Sequence, residues 1–162
     1  ETIFNGKNMT LKNNYNYTYN VSFYLYLNPQ PNNTSLAYNK ETELFNYANK
    51  PVISYNGPTR ELIIKSKTQR CEGDQCDLIY KTKDIKYQKW LFFAINYDNG
   101  VIDVFIDGKL VGSKKNVPNF TDGDKITIGE DNGVHGSIKE ISYYDKPRPQ
   151  SDVEFLYDLT KN

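Results

Sequence analysis

The sequence predicts an all-β fold: an antiparallel two-sheet sandwich closed by one short C-terminal helix. Three observations carry the prediction. Apolar and polar residues alternate at period two in nearly every segment, the pattern of strands that turn one face to a core. Asn99-Gly100 and Asp107-Gly108 fall between such segments and supply the positive φ that tight hairpin turns require. The last segment opens on Ser151-x-x-Glu154, a capping box, and is the only convincing helix in the chain.

The elements follow in order. Phe23, Leu25 and Leu27 share one strand face while Ser22, Tyr24 and Tyr26 share the other; both faces are rather apolar, so this strand is central. Asn28 to Asn33 is a polar loop broken by Pro29 and Pro31, since proline removes a ladder donor and fixes its own φ. Glu43 to Tyr47 and Val52 to Tyr55 form a hairpin turning at Ala48 to Pro51, and Asn56-Gly57-Pro58 ends it. Leu62 to Ile64 and Leu78 to Tyr80 flank a loop that holds both cysteines. Trp90 to Tyr97 pairs with Val101 to Ile106 across Asp98-Asn99-Gly100, and Asp107-Gly108 makes a second turn of that kind. Lys125 to Gly129 is a further strand and Gly129 to Gly133 a loop. In Gly136 to Asp145, Ile138 and Ile141 break strict alternation, and a bulge between them is expected to return both to the core. A helix of about nine residues follows, with Val153, Leu156 and Tyr157 on one side and Leu159 at its edge.

With 162 residues the chain fits a single domain spanning 1–162, long enough to bury roughly two thirds of its unfolded surface. The formal charge is zero and the pI about 6.9, so no electrostatic footprint points to nucleic acid, whose binders usually carry a strongly basic face, or to an anionic membrane. No apolar run approaches the ~20 residues that cross a bilayer, so membrane insertion is not expected, and the first residues do not form a signal peptide. A start at Glu1 points to a processed product or an excised part of something longer. The 14 tyrosines and abundant asparagines suit pleated surfaces and turns; an A/T-rich genome explains the same composition without function.

Cys71 and Cys76 enclose Glu72 to Gln75 between two strand-like segments, so a hairpin brings them within bridging distance. A disulfide closing this short loop, of modest entropic effect, is expected; the alternative is two free thiols on a loop tip. With one His in the chain, zinc lacks further ligands. Sequons stand at Asn8, Asn16, Asn20, Asn32, Asn33 and Asn119. Together with the cysteine pair they favour an extracellular, cell-surface or virion-surface setting.

Several residues carry a resemblance. Trp90 with alternating apolar residues to Tyr97-Asp98, the Asp107-Gly108 turn with Leu110-Val111, Ile128-Gly129, Gly136-x-Ile138, and Tyr144-Asp145 leading to a capped helix with Glu154, Leu156 and Tyr157 are similar to the concanavalin A-like lectin/glucanase superfamily, in its laminin G-like branch. The similarity is clear over about residues 84–162. It implies a two-sheet jelly roll of the kind found in extracellular and viral-surface proteins that bind glycans or proteins.

Retaining glucanases of that superfamily carry a Glu-x-Asp-x-Glu run whose carboxyls lie about 5–5.5 Å apart. This chain departs from the pattern. Asp103 and Asp107 share a parity, but Asp107 belongs to a turn; Glu41 and Glu43 sit at a strand entry beside Lys40. No catalytic residue is assigned and the chain is not expected to be an enzyme. The resemblance also implies calcium as a possible cofactor, which takes six to eight oxygen ligands. The candidate ligands are Asp98, Asp122, Asp124, Glu130 and Asp131, though Asp and Asn are ordinary turn residues too.

Glycan sites on such sandwiches combine an aromatic platform with hydrogen-bonding side chains. Tyr24, Tyr26, Tyr55, Tyr143 and Tyr144 are the candidate stacking residues, each weighed against the commoner role of a strand tyrosine that fills the core periphery with its hydroxyl wet. Trp90 is expected in the core, and His135 in a surface loop. The expected function is non-catalytic glycan binding or cell-surface recognition. The alternative is a structural or decoration component of a virus particle or surface assembly making protein contacts, with a glycoside hydrolase a distant third.

Overall fold

The computed structural model describes residues 2–5, 15–29, 36–69, 77–121 and 123–160. They form two antiparallel sheets, confirming a jelly-roll sandwich. The first is built from β1 (Thr2–Asn5), β4 (Glu41–Tyr47), β5 (Val52–Asn56), β6 (Glu61–Lys65), β7 (Leu78–Thr82) and β12 (Lys125–Ile128), in the order β1-β12-β4-β5-β6-β7. The second is built from β3 (Thr18–Leu27), β8 (Trp90–Asp98), β9 (Val101–Ile106), β10 (Lys109–Lys114) and β13 (Gly136–Tyr144), in the order β10-β9-β8-β3-β13. Two short strands, β2 (Tyr15–Asn16) and β11 (Phe120–Thr121), pair beside them.

Strand parity decides what enters the core. On β3 the odd residues Tyr19, Val21, Phe23, Leu25 and Leu27 face inward, and β8 answers with Leu91, Phe93, Ile95 and Tyr97. The Phe23 ring stacks on Phe93 at 5.3 Å within the sheet and on Phe45 of the facing sheet at 4.9 Å. Each such side chain contributes about 1.5–3 kcal/mol by leaving water. At one end of the core Tyr19, Tyr47, Tyr97 and Phe120 form an aromatic cluster, with Phe120 4.3 Å from Tyr47.

The hairpin turns match the sequence reading. Asn99 (φ 45°) and Gly100 (φ 89°) join β8 to β9, and Asp107 (φ 51°) and Gly108 (φ 78°) join β9 to β10. The bulge in β13 is present between Lys139 and Ser142, with Glu140 at φ 53°. It returns only Ile138 to the core: Ile141 stays 37% exposed, because the extra residue is taken up at Glu140-Ile141 itself.

The helix α1 (Gln150–Thr160) begins one residue before the predicted cap. Ser151 therefore sits inside the first turn and does not cap it; the Asp152 and Val153 amides donate instead to the Pro149 carbonyl, at 3.0 and 3.2 Å. Val153 is fully buried on the outer face of the second sheet, against a patch of Tyr24, Phe92, Ala94 and Phe105.

Candidate functional site

The outer face of the second sheet carries Asn20, Ser22, Tyr24 and Tyr26 from β3 and Trp90, Phe92, Ala94 and Asn96 from β8, paired in register from Tyr26–Trp90 to Asn20–Asn96. α1 covers the middle of this face; the Tyr26–Trp90 end stays open, while at the other end Asn20 and Asn96 are buried under the chain around Arg148.

At one end stands Trp90. It is 41% exposed, which corrects its expected place in the core: the inward parity of β8 belongs to Leu91, Phe93, Ile95 and Tyr97, and Trp90 falls on the other. The Tyr26 ring lies 5.2 Å from it, tilted by 53°. Lys139, opposite Tyr24 on β13, places its Nζ 4.7 Å from the Trp90 centroid and 5.3 Å from that of Tyr24. Glu140, in the strained bulge residue beside it, meets the same Nζ at 3.1 Å. Two rings, an ammonium and a carboxylate thus share one open patch. The ring faces offer negative quadrupole to weakly positive C–H groups, and the charged pair offers hydrogen bonds to hydroxyls.

At the other end, six residues along β3 and about 20 Å away, Tyr144 is 43% exposed and Arg148 stacks its guanidinium 3.8 Å above the ring. Asn96 holds Arg148 there through its backbone, accepting from Arg148 N at 3.0 Å and donating to Arg148 O at 2.7 Å.

The predicted stacking residues therefore separate. Tyr26 and Tyr144 reach the surface of this face, at opposite ends. Tyr24 is buried beneath α1, with the Lys139 ammonium over its ring. Tyr143 takes the inward parity and stacks on Tyr19 at 5.8 Å. Tyr55 is 2% exposed, shares a 3.0 Å hydroxyl contact with Tyr87 and has its ionisation pushed up by burial, so it is a core residue and no platform. His135 is exposed in the loop before β13, as expected.

The calcium candidates are dispersed and individually engaged. Asp124 Oδ2 accepts from Lys50 Nζ and from the Thr121 amide, both at 2.9 Å. Glu130 pairs with Lys40 and accepts from the Glu43 amide at 3.1 Å, tying the loop before β13 to β4; the Lys40 ammonium holds its carboxyl below the usual range. Asp98 accepts from Asn99 Nδ2 at 2.7 Å, and Asp131 is exposed. Asp122 lies outside the described residues. Among those described, no three His, Cys, Asp or Glu side chains gather into a metal-binding group.

Asp107 accepts from the Phe92 amide at 3.1 Å and pairs with Lys86 at 3.1 Å, while Asp103 accepts from Ser113 Oγ. Both carboxylates are committed to the sheet. Cys71 and Cys76 lie outside the described residues; the strands flanking them pair, and Ser66 N donates to Asp77 O at 2.7 Å. Asn20, one of the six sequons, is fully buried and donates to Asn96 Oδ1 at 2.9 Å, so the folded chain has no room for a glycan there. The Asn119 sequon is exposed, although its Oδ1 accepts from Tyr97 Oη at 2.8 Å.

A family profile described as the concanavalin A-like lectin/glucanases superfamily, of laminin G type, matches residues 5–154. Among curated proteins, no sequence matches this chain. Among solved structures, the fold is similar to the botulinum neurotoxin serotype D ligand binding domain in complex with N-acetylneuraminic acid, at 14% identity and a TM-score of 0.65 over 98% of this chain and 39% of that one. It is similar to the botulinum neurotoxin serotype G binding domain, at 16% identity and a TM-score of 0.64 over 90% of this chain and 37% of that one. It is likewise similar to the binding domain of botulinum neurotoxin DC in complex with SialylT, at 16% identity and a TM-score of 0.60 over 88% of this chain and 36% of that one. The chain thus spans under two fifths of those chains. At such identities the likeness speaks for the fold alone.

Proposed function

Since the chain belongs to the concanavalin A-like lectin/glucanase superfamily, we propose that it is a non-catalytic carbohydrate-recognition module and that Trp90 and Tyr26 form its stacking platform. The observation that carries the reading is the exposed Trp90 beside Tyr26 on a sheet face, with the Lys139 ammonium at the Trp90 ring and paired to Glu140. Strand positions hold such a platform more firmly than loops do. Solved structures of this fold in complex with N-acetylneuraminic acid and with SialylT support a sugar as ligand class. A module of this kind works at an extracellular, cell or virion surface, and no described helix is long and apolar enough to cross a membrane.

A glycan array probed with the wild-type chain and with Trp90→Ala tests the reading. Selective binding that disappears in the variant supports it; an array on which the two proteins behave alike overturns the assignment of the site. The second reading, a component of a surface assembly that makes protein contacts, is favoured by Phe155 and Leu159, which are 62% and 60% exposed. Co-purification with a particle and no glycan bound would choose it.

A further inference from the structure

The two sheets meet unevenly along the side of the sandwich bounded by their edge strands β7 and β10. At one end these edges close. Gly112 brings β10 so near to β7 that a Cβ on it would lie 2.8 Å from the Ile79 carbonyl oxygen, and Lys114 Nζ donates to the Leu78 carbonyl at 3.3 Å. At the other end they part, and a cavity of about 370 Å³ opens between them, within the size range of small-molecule sites.

Its floor is aliphatic. Leu62 comes from the first sheet, Leu91, Ile106 and Val111 come from the second, and Ile85 from the segment between β7 and β8. Its mouth is charged, with Asp84, Lys86, Asp107 and Lys109 around it. Lys86 and Asp107 satisfy each other: Lys86 Nζ donates to Asp107 Oδ2 at 3.1 Å, while Asp107 Oδ1 accepts from the Phe92 amide. Asp84 and Lys109 are left over. Both are exposed, and neither forms an ion pair among the described residues. The Thr82 hydroxyl accepts from the Asp84 amide at 3.0 Å and so fixes the backbone that carries this carboxylate.

This lining selects among ligand classes. A polyol would bury hydroxyls against aliphatic side chains that offer no hydrogen bond. A hydrocarbon would cover the floor and leave both charges unused. An anionic amphiphile would answer Lys109 and face Asp84 as a like charge; a cationic one would do the reverse. A zwitterion with an apolar body answers both charges and covers the floor. We propose that this cleft binds a free α-amino acid with a large apolar side chain, its carboxylate on Lys109, its ammonium on Asp84 and its side chain on Leu62, Leu91 and Ile106. The cleft lies between the sheets, on the opposite side of the second sheet from Trp90, so it stands independently of the sugar reading.

Titration of the whole chain with L-phenylalanine and with L-leucine, followed by amide chemical shifts and by calorimetry, tests it. Saturable binding with a Kd of about 1 mM or tighter is expected, with the shifts centred on β7, β10 and the 83–86 segment. Phenethylamine and phenylpropionate, which each lack one of the two charges, are expected to bind at least about tenfold more weakly than phenylalanine. Lys109→Ala and Asp84→Ala, each alone, are expected to weaken phenylalanine at least about tenfold while leaving the melting temperature unchanged, because both side chains are exposed. Absence of saturable binding by either amino acid up to about 10 mM overturns the proposal. Binding that both substitutions leave untouched, or glucose binding as tightly as phenylalanine, overturns it as well.

Discussion

Asn96 holds Arg148 as a neighbouring strand would. Its Nδ2 donates to the Arg148 carbonyl at 2.7 Å and its Oδ1 accepts from the Arg148 amide at 3.0 Å, the two bonds that paired strand residues exchange. Asn20 donates to the same Oδ1 at 2.9 Å, and both side chains are buried. Through this grip the chain leaving β13 is laid on the sheet face just before α1 begins.

Asn96→Ala removes both bonds and leaves Asn20 Nδ2 with only a long contact to the Ile95 carbonyl, at 3.5 Å. The expected loss is about 2–4 kcal/mol, from net hydrogen-bond energy and the desolvation of the partners left behind. Urea unfolding measures the total. Amide exchange is expected to rise most along α1, whose docking otherwise rests on Val153, Leu156 and Tyr157; a uniform rise over both sheets would contradict a local clamp.

Trp90→Ala separates binding from stability. The residue is 41% exposed and its main partners are Tyr26 and the Lys139 ammonium, so its removal is expected to lower unfolding free energy by about 1–3 kcal/mol, less than truncation of a core aromatic. A sugar that uses the ring as its platform is expected to lose at least about tenfold in affinity, which is about 1.4 kcal/mol. Calorimetric titration of a glycan found on the array, beside thermal melts of both proteins, reads the two effects independently.

What the sequence made legible was local. The Asn99-Gly100 and Asp107-Gly108 turns need positive φ, and only a few residues tolerate it, so the β8–β9–β10 meander follows from the residues themselves. The burial of β8 was half legible: Leu91, Phe93, Ile95 and Tyr97 form an unbroken apolar parity, while the set containing Trp90 runs out into Asn96 and Asp98. Trp90 is expected in the core from the sequence; parity places it outside. The roles of Asp124 and Glu130 were not legible at all, because Lys50 and Lys40 lie 74 and 90 residues away in the chain and meet them only once the sheets are assembled. The helix start shifted for a related reason: the Pro149 carbonyl takes the amides that Ser151 was expected to organise.

Glu130 makes stability depend on acid pH. Its carboxyl is held below the ordinary 4.5, first by the hydrogen bond from Lys40 and then, against a smaller opposing effect of burial, by the Glu43 amide. The unfolded chain therefore binds a proton at higher pH than the folded chain does. The contribution of Glu130 is complete above about pH 5 and is lost as pH falls through 4.5 towards the lowered folded value. Both partners are substantially exposed, 49% for Lys40 and 32% for Glu130, so solvent keeps the contribution below about 1 kcal/mol. Glu130→Gln is expected to be less stable than wild type at pH 7 and equal to it near pH 3, as followed by urea midpoints across that range; a gap that widens in acid would reverse the sign and refute the pairing.

Asp124 decides between a structural carboxylate and a metal ligand. Its Oδ2 receives both the Lys50 ammonium and the Thr121 amide, and Lys50 is 7% exposed, with its Nζ 4.3 Å from the Phe120 centroid and 3.1 Å from the Asn119 carbonyl. Removing the carboxylate strands a largely buried cation beside the aromatic cluster of Tyr19, Tyr47 and Tyr97. Asp124→Ala is therefore expected to cost about 3 kcal/mol or more, the usual result of breaking a buried pair by one partner. Lys50→Met together with Asp124→Ala should recover most of that loss, since the stem of Lys50 is replaced by an apolar chain of similar length against Phe120. With the oxygen already committed, adding calcium at millimolar concentration is expected to leave the melting temperature of the wild type unchanged. A calcium-dependent rise that Asp124→Ala abolishes would show the carboxylate binding metal in preference to Lys50.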